Sequence, residues 1–527
     1  MRMPPIHPSR EGAGGHHITH RLDLITASAD AELSPDVVEA LTRAEQAWTD
    51  AHVAQLPSNT GRNVVLVGAG VVNLITALRL RRAGYAVRIH DRAPDPRDDA
   101  HWTAYGCTRG GGDGRMFTLT EADSYNSRAR NPDGSSNDLL TRPISRHGWL
   151  VADPDDLSAA ELRWADEFHL IPRWLADSFN EDIFDVNRAA GVEWDRLIDS
   201  DPALFGEHTG YRDGILRLYT DSEYFGRHVA RNDHVGATRA VLASDQVGVG
   251  YPALARACAD GTIVGGIEVV GFTVNIHKFL ARLVELLEAE GVSFHWGEQV
   301  SGIRWAAPGL VDGLKIGADV VRADHYVLSP GAYGEDLLRG TASHGHIQGM
   351  LGVWLTVPNV EPRLEHSVKI ARAGHRAEET NVTLATDAAG APVLVCGAGY
   401  GWTGRDPGNI DPAELELLFD ALADTIGRFF PEALAAARKA GTLDASRQVC
   451  VRPWTSSCLG VFETVPTNQG GTLVVTGGHN TGGFTQSPVV ADAVLAALRG
   501  QPHAMHTRFH PRRLERFTGP EVLLRPV

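Results

Sequence analysis

Cysteine is scarce in this chain: five among 527 residues, at Cys107, Cys258, Cys396, Cys450 and Cys458. Their irregular spacing forms neither a disulfide framework nor a set of zinc ligands, and it fits a reduced, cytoplasmic setting. No apolar run reaches the length of a membrane span, and the N-terminus lacks the apolar core of a secretory signal. Positive charge is also short. Lys and Arg number 49 against 65 Asp and Glu, a formal net charge of −16, which argues against general binding to nucleic acid or anionic membranes. The rest of the composition is that of a globular protein. At 527 residues, two or more domains are expected.

What the chain does have is a strand, a glycine turn, a helix and a second strand over residues 64–91. Val64 to Val67 are aliphatic throughout, as a strand buried on both faces requires. Gly68 makes the tight turn, and Gly70, after Ala69, lets the backbone approach a pyrophosphate. The following helix aims its first amides at that group. Asp91, beside Arg92, ends the second strand where a carboxylate meets ribose hydroxyls. With strand, helix and acid all at the right distances, this is a dinucleotide-binding unit. Its one irregularity is Asn73, which stands where the third glycine of the fingerprint belongs. Asn73 either fills space or bonds to the cofactor.

Residues 1–33 are rich in Pro, Gly and His; His16, His17 and His20 lack the neighbours of a metal site, and no metal is expected. Ser34-Pro35 reads as a helix start, and Val37, Leu41, Trp48, His52 and Leu56 recur at helical spacing. This amphipathic helix must dock on something, as a lid or as a contact between copies of the chain. A loop dense in Gly, Asp and Arg follows Asp91 and contains Cys107, Arg109 and Arg115. Helical periodicity covers 157–200, 275–291 and 412–440. Strands are expected at 292–296, 300–305, 324–328, 350–357, 392–396 and 472–476, and a last helix at 487–498 after a glycine-rich turn. Such a strand, turn and helix make an anion site.

Several segments, in one order along the chain, resemble the flavoprotein amine oxidoreductases typified by D-amino-acid dehydrogenase, glycine oxidase and monomeric sarcosine oxidase. They are the dinucleotide unit, Tyr251-Pro-Ala-Leu-Ala with Gly265-Gly-Ile and Thr273-Val-Asn, Arg452-Pro-Trp-Thr455, and Thr476-Gly-Gly-His479-Asn-Thr481-Gly-Gly-Phe484-Thr485. The last is similar to that family's Gly-His-Gly-Thr-x-Gly-Trp-Thr turn. The resemblance implies FAD as cofactor and an α/β architecture, a Rossmann-like FAD-binding domain with an inserted α+β substrate domain carrying an antiparallel sheet. The nucleotide domain is expected from 61–115, 267–345 and 445–505, the substrate domain from 116–266 and 346–444, and an extension at 1–60.

The implied reaction is oxidation of an amino acid or amine to its imine, with oxygen or another electron acceptor taking the electrons. Val300, Gly331, Gly478, Asn480, Thr481, Gly482, Gly483 and Phe484 then join the fingerprint residues as candidate FAD contacts, with Arg109 near the flavin or its phosphates. Arg452 is the first candidate to clamp a substrate carboxylate; Arg115 is the second, and His479 faces the flavin or the substrate. Cys450 falls in register with the sarcosine-oxidase cysteine that is bonded to the flavin, and it reads equally as a small buried hydrophobe. Ser456-Ser457-Cys458 replaces the family's Pro-Asp-Gly, a departure that leaves the substrate open. A flavin monooxygenase and a non-catalytic FAD-containing assembly factor stand as alternatives. The turn Gly478-His-Asn-Thr-Gly482 departs from the Gly-Asp-Ala-Ala-His-like turn of the monooxygenases.

Overall fold

The computed structural model describes residues 60–516 apart from 96, 98–114, 124, 130–136, 172 and 388. The N-terminal helix expected over 34–56, the three early histidines, Cys107 and Arg109 lie outside the described residues.

Asn63–Val67 is the centre of a six-stranded sheet. It pairs in parallel with Ala86–Asp91 on one side and His325–Leu328 on the other. Ser293–Trp296 extends one edge, and Thr472–Gly477 followed by antiparallel Val461–Pro466 extends the other. The aliphatic run is buried on both faces, as its composition demands: Val64, Val65 and Leu66 are 0–1% exposed. The strand order reverses between Asn63–Val67 and His325–Leu328, and open α/β sheets place ligands beside the carboxyl ends of such strands.

A second sheet is mostly antiparallel and nine-stranded. It runs from Gln448–Thr455 through Ile347–Pro358, Pro392–Gly404, Glu379–Thr386 and Ser367–Ala371 to Arg212–Tyr219, Gly265–Thr273 and Met116–Thr118, with Thr238–Ala243 paired onto Gly265–Thr273. Two strands differ here from the expected division. Gln448–Thr455 and Gly265–Thr273 both pair within this sheet, so the Arg452 strand reaches the nucleotide sheet only through the turns that follow it. Each of these segments is apolar enough to sit in either sheet, and pairing partners decide the matter.

The helices match the expected stretches, with one instructive shift. The last helix is Gly483–Leu498 and begins four residues before the expected start. Pro488 lies inside it, where a missing N–H usually ends a helix. Here the Ser487 hydroxyl donates to the Phe484 carbonyl at 2.9 Å, so the carbonyl that Pro488 cannot serve is satisfied. The early start brings the helix N-terminus to the end of the central sheet.

This helix packs with Val71–Arg82, Ile276–Ala289 and the long helix Arg173–Ser200 in one core. Trp194 of the long helix is fully buried. Its indole stacks on Phe484 at 4.9 Å, lies against Phe205, Phe272 and Phe279, and donates to the Thr485 carbonyl at 2.9 Å. We therefore expect Trp194→Ala to lower the unfolding free energy by about 3–5 kcal/mol in denaturant titration, the range for losing a large buried aromatic ring. A change under about 1 kcal/mol, as at surface positions, would contradict this packing.

Candidate functional site

One cleft of about 630 Å³ runs from the fingerprint turn to the end of the Arg452 strand. At one end it is walled by Gly68, Gly70, Asp91 and Arg92, along its side by Val300 and Gly331, and at the other end by Cys450, Arg452 and His479. Asn480, Thr481, Gly483 and Phe484 also line it. Thirteen of the expected site residues thus share one wall, although they come from six separated stretches of chain.

The fingerprint end is built from backbone. Gly68 holds φ +95, and a Cβ on it would meet the Ser329 carbonyl oxygen at 2.5 Å. A Cβ on Gly70 would meet nothing within 4 Å, because that position opens onto the cleft. Gly70 caps the helix Val71–Arg82 without a side-chain hydrogen bond, and no acid sits in the first turn. The first amides are left for an anionic ligand. Asp91 accepts hydrogen bonds from the amides of Ala69 and Ala93, both at 2.7 Å. These bonds fix its carboxylate at the rim. Burial nevertheless pushes its pKa above the ordinary carboxylate value, against those two bonds.

Asn73 and Ala69 stand behind the turn rather than on the cleft wall. The Asn73 amide donates to the carbonyls of Val67 and Gly68, both at 2.8 Å, and its side chain is fully buried. Asn73 therefore bonds to the turn itself. It staples the loop by hydrogen bonds where a glycine would allow close packing.

The opposite end joins two of the sequence motifs. Asn480 adopts φ +52. Its amide oxygen accepts from the Thr455 N–H at 3.2 Å, its amide nitrogen donates to the Cys458 carbonyl at 2.7 Å, and its backbone N–H donates to the Pro453 carbonyl at 3.0 Å. Gly478, at φ +62, lies against Thr455, where a Cβ would come within 2.5 Å of Cγ2. Gly478 and Gly482 shape this turn from off the cleft wall. Gly482 caps the last helix without a side-chain bond, and no acid occupies the first turn. A second set of helix amides therefore faces the same cleft.

His479 is buried, with Nε2 3.0 Å from Thr476 Oγ1. Burial pushes its pKa down to about 4, so the ring is neutral at physiological pH. Arg452 is 7% exposed. It donates to the carbonyls of Gly399 at 2.6 Å and Leu351 at 3.3 Å, and its guanidinium lies 5.2 Å from the centre of the Tyr400 ring. Cys450 lines the cleft and is 3% exposed. Arg115 does not reach the cleft wall. It is buried, with its guanidinium 5.9 Å from the centre of the Trp354 ring, and donates to the Val395 carbonyl at 3.4 Å.

Beyond Arg452 and Thr481, which line both spaces, lies a small pocket of about 10 Å³ walled by Glu121, Lys369, Glu379, Asn381 and Tyr400. Lys369 Nζ lies 3.2 Å from Glu121 Oε2 and 3.4 Å from Glu379 Oε2, and Arg128 meets Glu379 Oε1 at 3.0 Å. Tyr400 stacks on Trp149 at 4.7 Å, and Trp454 packs on Tyr125 at 4.9 Å, so aromatic rings close this side. The sequence reading did not include this charged group. Its one local signal is Lys369 set between Val368 and Ile370 in a strand buried on both faces.

FAD fits the residues present. The cleft has the size and mixed lining of a cofactor site. It offers two uncapped helix starts, the open position at Gly70, a rim carboxylate, and a Thr481 hydroxyl that is buried without a partner. The comparisons with known proteins agree. The family model described as FAD dependent oxidoreductase matches residues 63–497. A D-amino acid dehydrogenase of Methylobacterium nodulans is 27% identical over 311 residues, which cover 56% of this chain and 66% of that protein, just under two thirds of its length. Among solved structures, glycine oxidase from Geobacillus kaustophilus aligns over 88% of this chain and 100% of its own, with TM-score 0.56 and 17% identity. Iminodiacetate oxidase from Chelativorans sp. BNC1 aligns over 86% and 98%, with TM-score 0.53 and 16% identity.

The neutral His479 carries a pH consequence. Between its folded pKa of about 4 and the ordinary value of 6.5, the unfolded chain binds a proton that the folded chain refuses. Its contribution is complete above pH 6.5 and is lost as pH falls toward 4, on the order of 3 kcal/mol in all. Replacing it by Gln is expected to flatten the acid limb of unfolding free energy against pH. Parallel limbs for wild type and His479→Gln would contradict the neutral ring.

Proposed function

From the premise that this chain belongs to the FAD dependent oxidoreductase family, we propose that it oxidises a carbon–nitrogen bond of an amino acid or amine to the imine. The observation that carries this reading is a buried arginine, Arg452, that lines both the cleft and a small pocket walled by two carboxylates and a lysine. That arrangement suits a small zwitterion, and the D-amino acid dehydrogenase among the relatives supports the same substrate class.

Bound FAD would supply the two-electron acceptor, chemistry that belongs to the cofactor. The amides at Gly70 and the start of Val71–Arg82 would hold its diphosphate, and Asp91 its ribose hydroxyls. The start of Gly483–Leu498 favours negative charge at the other end of the cleft. Arg452 holds the substrate carboxylate by a two-pronged bond, with its guanidinium fixed by Gly399, Leu351 and Tyr400. His479, being neutral, adds no charge beside that carboxylate. Tyr400, Trp454 and Phe484 keep water from the reacting atoms. Oxygen or another electron acceptor would take the electrons from the cofactor. Cys258, Cys396, Cys450 and Cys458 are all free thiols, which supports a reducing compartment, the cytoplasm.

The test is anaerobic. The FAD-loaded protein is mixed with D-, L- and N-methyl amino acids and with simple amines, and flavin absorbance is followed. Bleaching by an amino acid is expected, and Arg452→Met should lower kcat/KM at least about hundredfold, as expected on losing one partner of a buried charge pair. Bleaching by reduced nicotinamide alone would instead indicate a monooxygenase, and no bleaching by either an assembly factor.

Cys450 decides how the cofactor is held. A buried thiol is most often a small packing group, so acid precipitation should leave a colourless pellet and release FAD. A yellow pellet that turns colourless in Cys450→Ser would place a thioether there.

A further inference from the structure

We propose that Glu121 accepts the proton that the substrate's ammonium gives up before its carbon–nitrogen bond is oxidised, with Lys369 and Glu379 as positioning residues. This rests on the amino-acid or amine substrate proposed above.

An amino acid arrives at neutral pH as the ammonium form. That nitrogen has no free electron pair, and the adjacent C–H bond cannot be oxidised to an imine until one proton leaves. Once cofactor and substrate fill the cleft and displace its water, a group of the protein is needed to take it. The pocket beside Arg452 has room for about one water-sized group, which is the size of an ammonium. A carboxylate held by Arg452 would therefore put the substrate nitrogen at the mouth of a pocket walled by Glu121 and Glu379.

The two carboxylates are not equivalent. Glu379 has each oxygen on a different cation, Oε1 on Arg128 and Oε2 on Lys369. Glu121 turns both oxygens to one partner, Lys369 Nζ, at 3.3 and 3.2 Å. The nearby Arg217 guanidinium donates instead to Thr118 Oγ1 at 3.0 Å. Of the other charged groups nearby, Glu378 shares Arg128 with Glu379, at 3.3 Å, and burial raises its pKa; Asp123 is paired with Arg231, and His228 of the same helix as Arg231 is pushed down to about 4 by burial and is neutral. From the long helix, Asn187 donates to the backbone carbonyls of Glu121 at 2.7 Å and Leu119 at 3.1 Å, which pins the segment in place.

Their proton affinities diverge accordingly. Burial raises the Glu121 pKa against the pull of Lys369 and Arg217. Burial would raise Glu379 too, but Lys369, Arg128 and Arg217 together hold it below the ordinary carboxylate range. Carboxylates whose environments push them apart in this way divide the roles of proton acceptor and fixed charge. The step balances. An N–H bond of the ammonium breaks and leaves its electron pair on nitrogen, and an O–H bond forms on Glu121. Lys369 keeps its proton, and its charge is still met by Glu379.

The test compares FAD-loaded wild type with Glu121→Gln by anaerobic stopped flow from pH 6 to 10, using the fastest amino acid of the panel. In wild type the reduction rate falls only on the acid side of the Glu121 pKa. In Glu121→Gln the rate at pH 7 is expected to drop about hundredfold, the scale of lost general-base catalysis. It then climbs about tenfold per pH unit and approaches wild type above the substrate's own ammonium pKa. A drop by the same factor at every pH, or no drop, would overturn the proposal.

A second measurement needs only wild type and no turnover. The probe is 2-aminoisobutyrate, which has no α-hydrogen, with isobutyrate as the control that lacks the amine. Titrated against the flavin spectrum, 2-aminoisobutyrate should weaken about tenfold per pH unit below the Glu121 pKa, the loss set by one linked proton, while isobutyrate does not. Identical pH dependence for the two acids would overturn the proposal. Wild type unreduced by every amino acid and amine would refute the substrate reading itself. Wild type reduced with an unchanged profile in Glu121→Gln would refute only the role of Glu121.

Discussion

The structure depends on two helix starts that share one cleft. Neither Gly70 nor Gly482 offers a side chain to cap its helix, and neither first turn contains an acid. Buried amides left without partners are costly, so a fold that places two such sets on one cavity is arranged for an anionic ligand with two separated poles. Most of the surrounding architecture serves that placement. The parallel sheet aligns the first helix, Trp194 and the aromatic cluster hold the last, and Asn480 bolts the final turn to the Arg452 strand.

The second theme is charge without water. Glu121, Lys369, Glu379 and Arg452 are each less than a tenth exposed. Such groups are tolerated only when paired and hydrogen-bonded, and they are an expensive way to stabilise a sheet. Their position around a pocket that shares Arg452 with the cleft gives a functional reason for keeping them. The cleft end at Arg452 suits an anion, while the pocket behind it suits a cation that can lose a proton.

Much of the nucleotide half was legible in the sequence, because its signals are local. Gly68, Gly70 and Asp91 stand at fixed offsets from a strand and a helix, and the Thr476–Thr485 turn is continuous. The last helix starts four residues before the expected 487, because the Ser487 hydroxyl makes up the bond that Pro488 cannot and the helix runs through Pro488 from Gly483. Asn73 looked like a defect in the fingerprint and proved to be a staple across the turn. The charged pocket was not legible. Glu121, Lys369 and Glu379 lie on three separated segments, and no spacing rule joins them before the nine-stranded sheet forms. Arg115 illustrates the converse: it neighbours the glycine run in sequence, yet its guanidinium packs near Trp354 and it does not line the cleft.

The most direct measurement of the central claim is a crystal structure of the FAD-loaded protein. One FAD is predicted to span the cleft, with its diphosphate against the amides at Gly70 and its ring system at the Arg452 and His479 end. FAD bound elsewhere, or lying in the cleft in the opposite direction, would contradict the account.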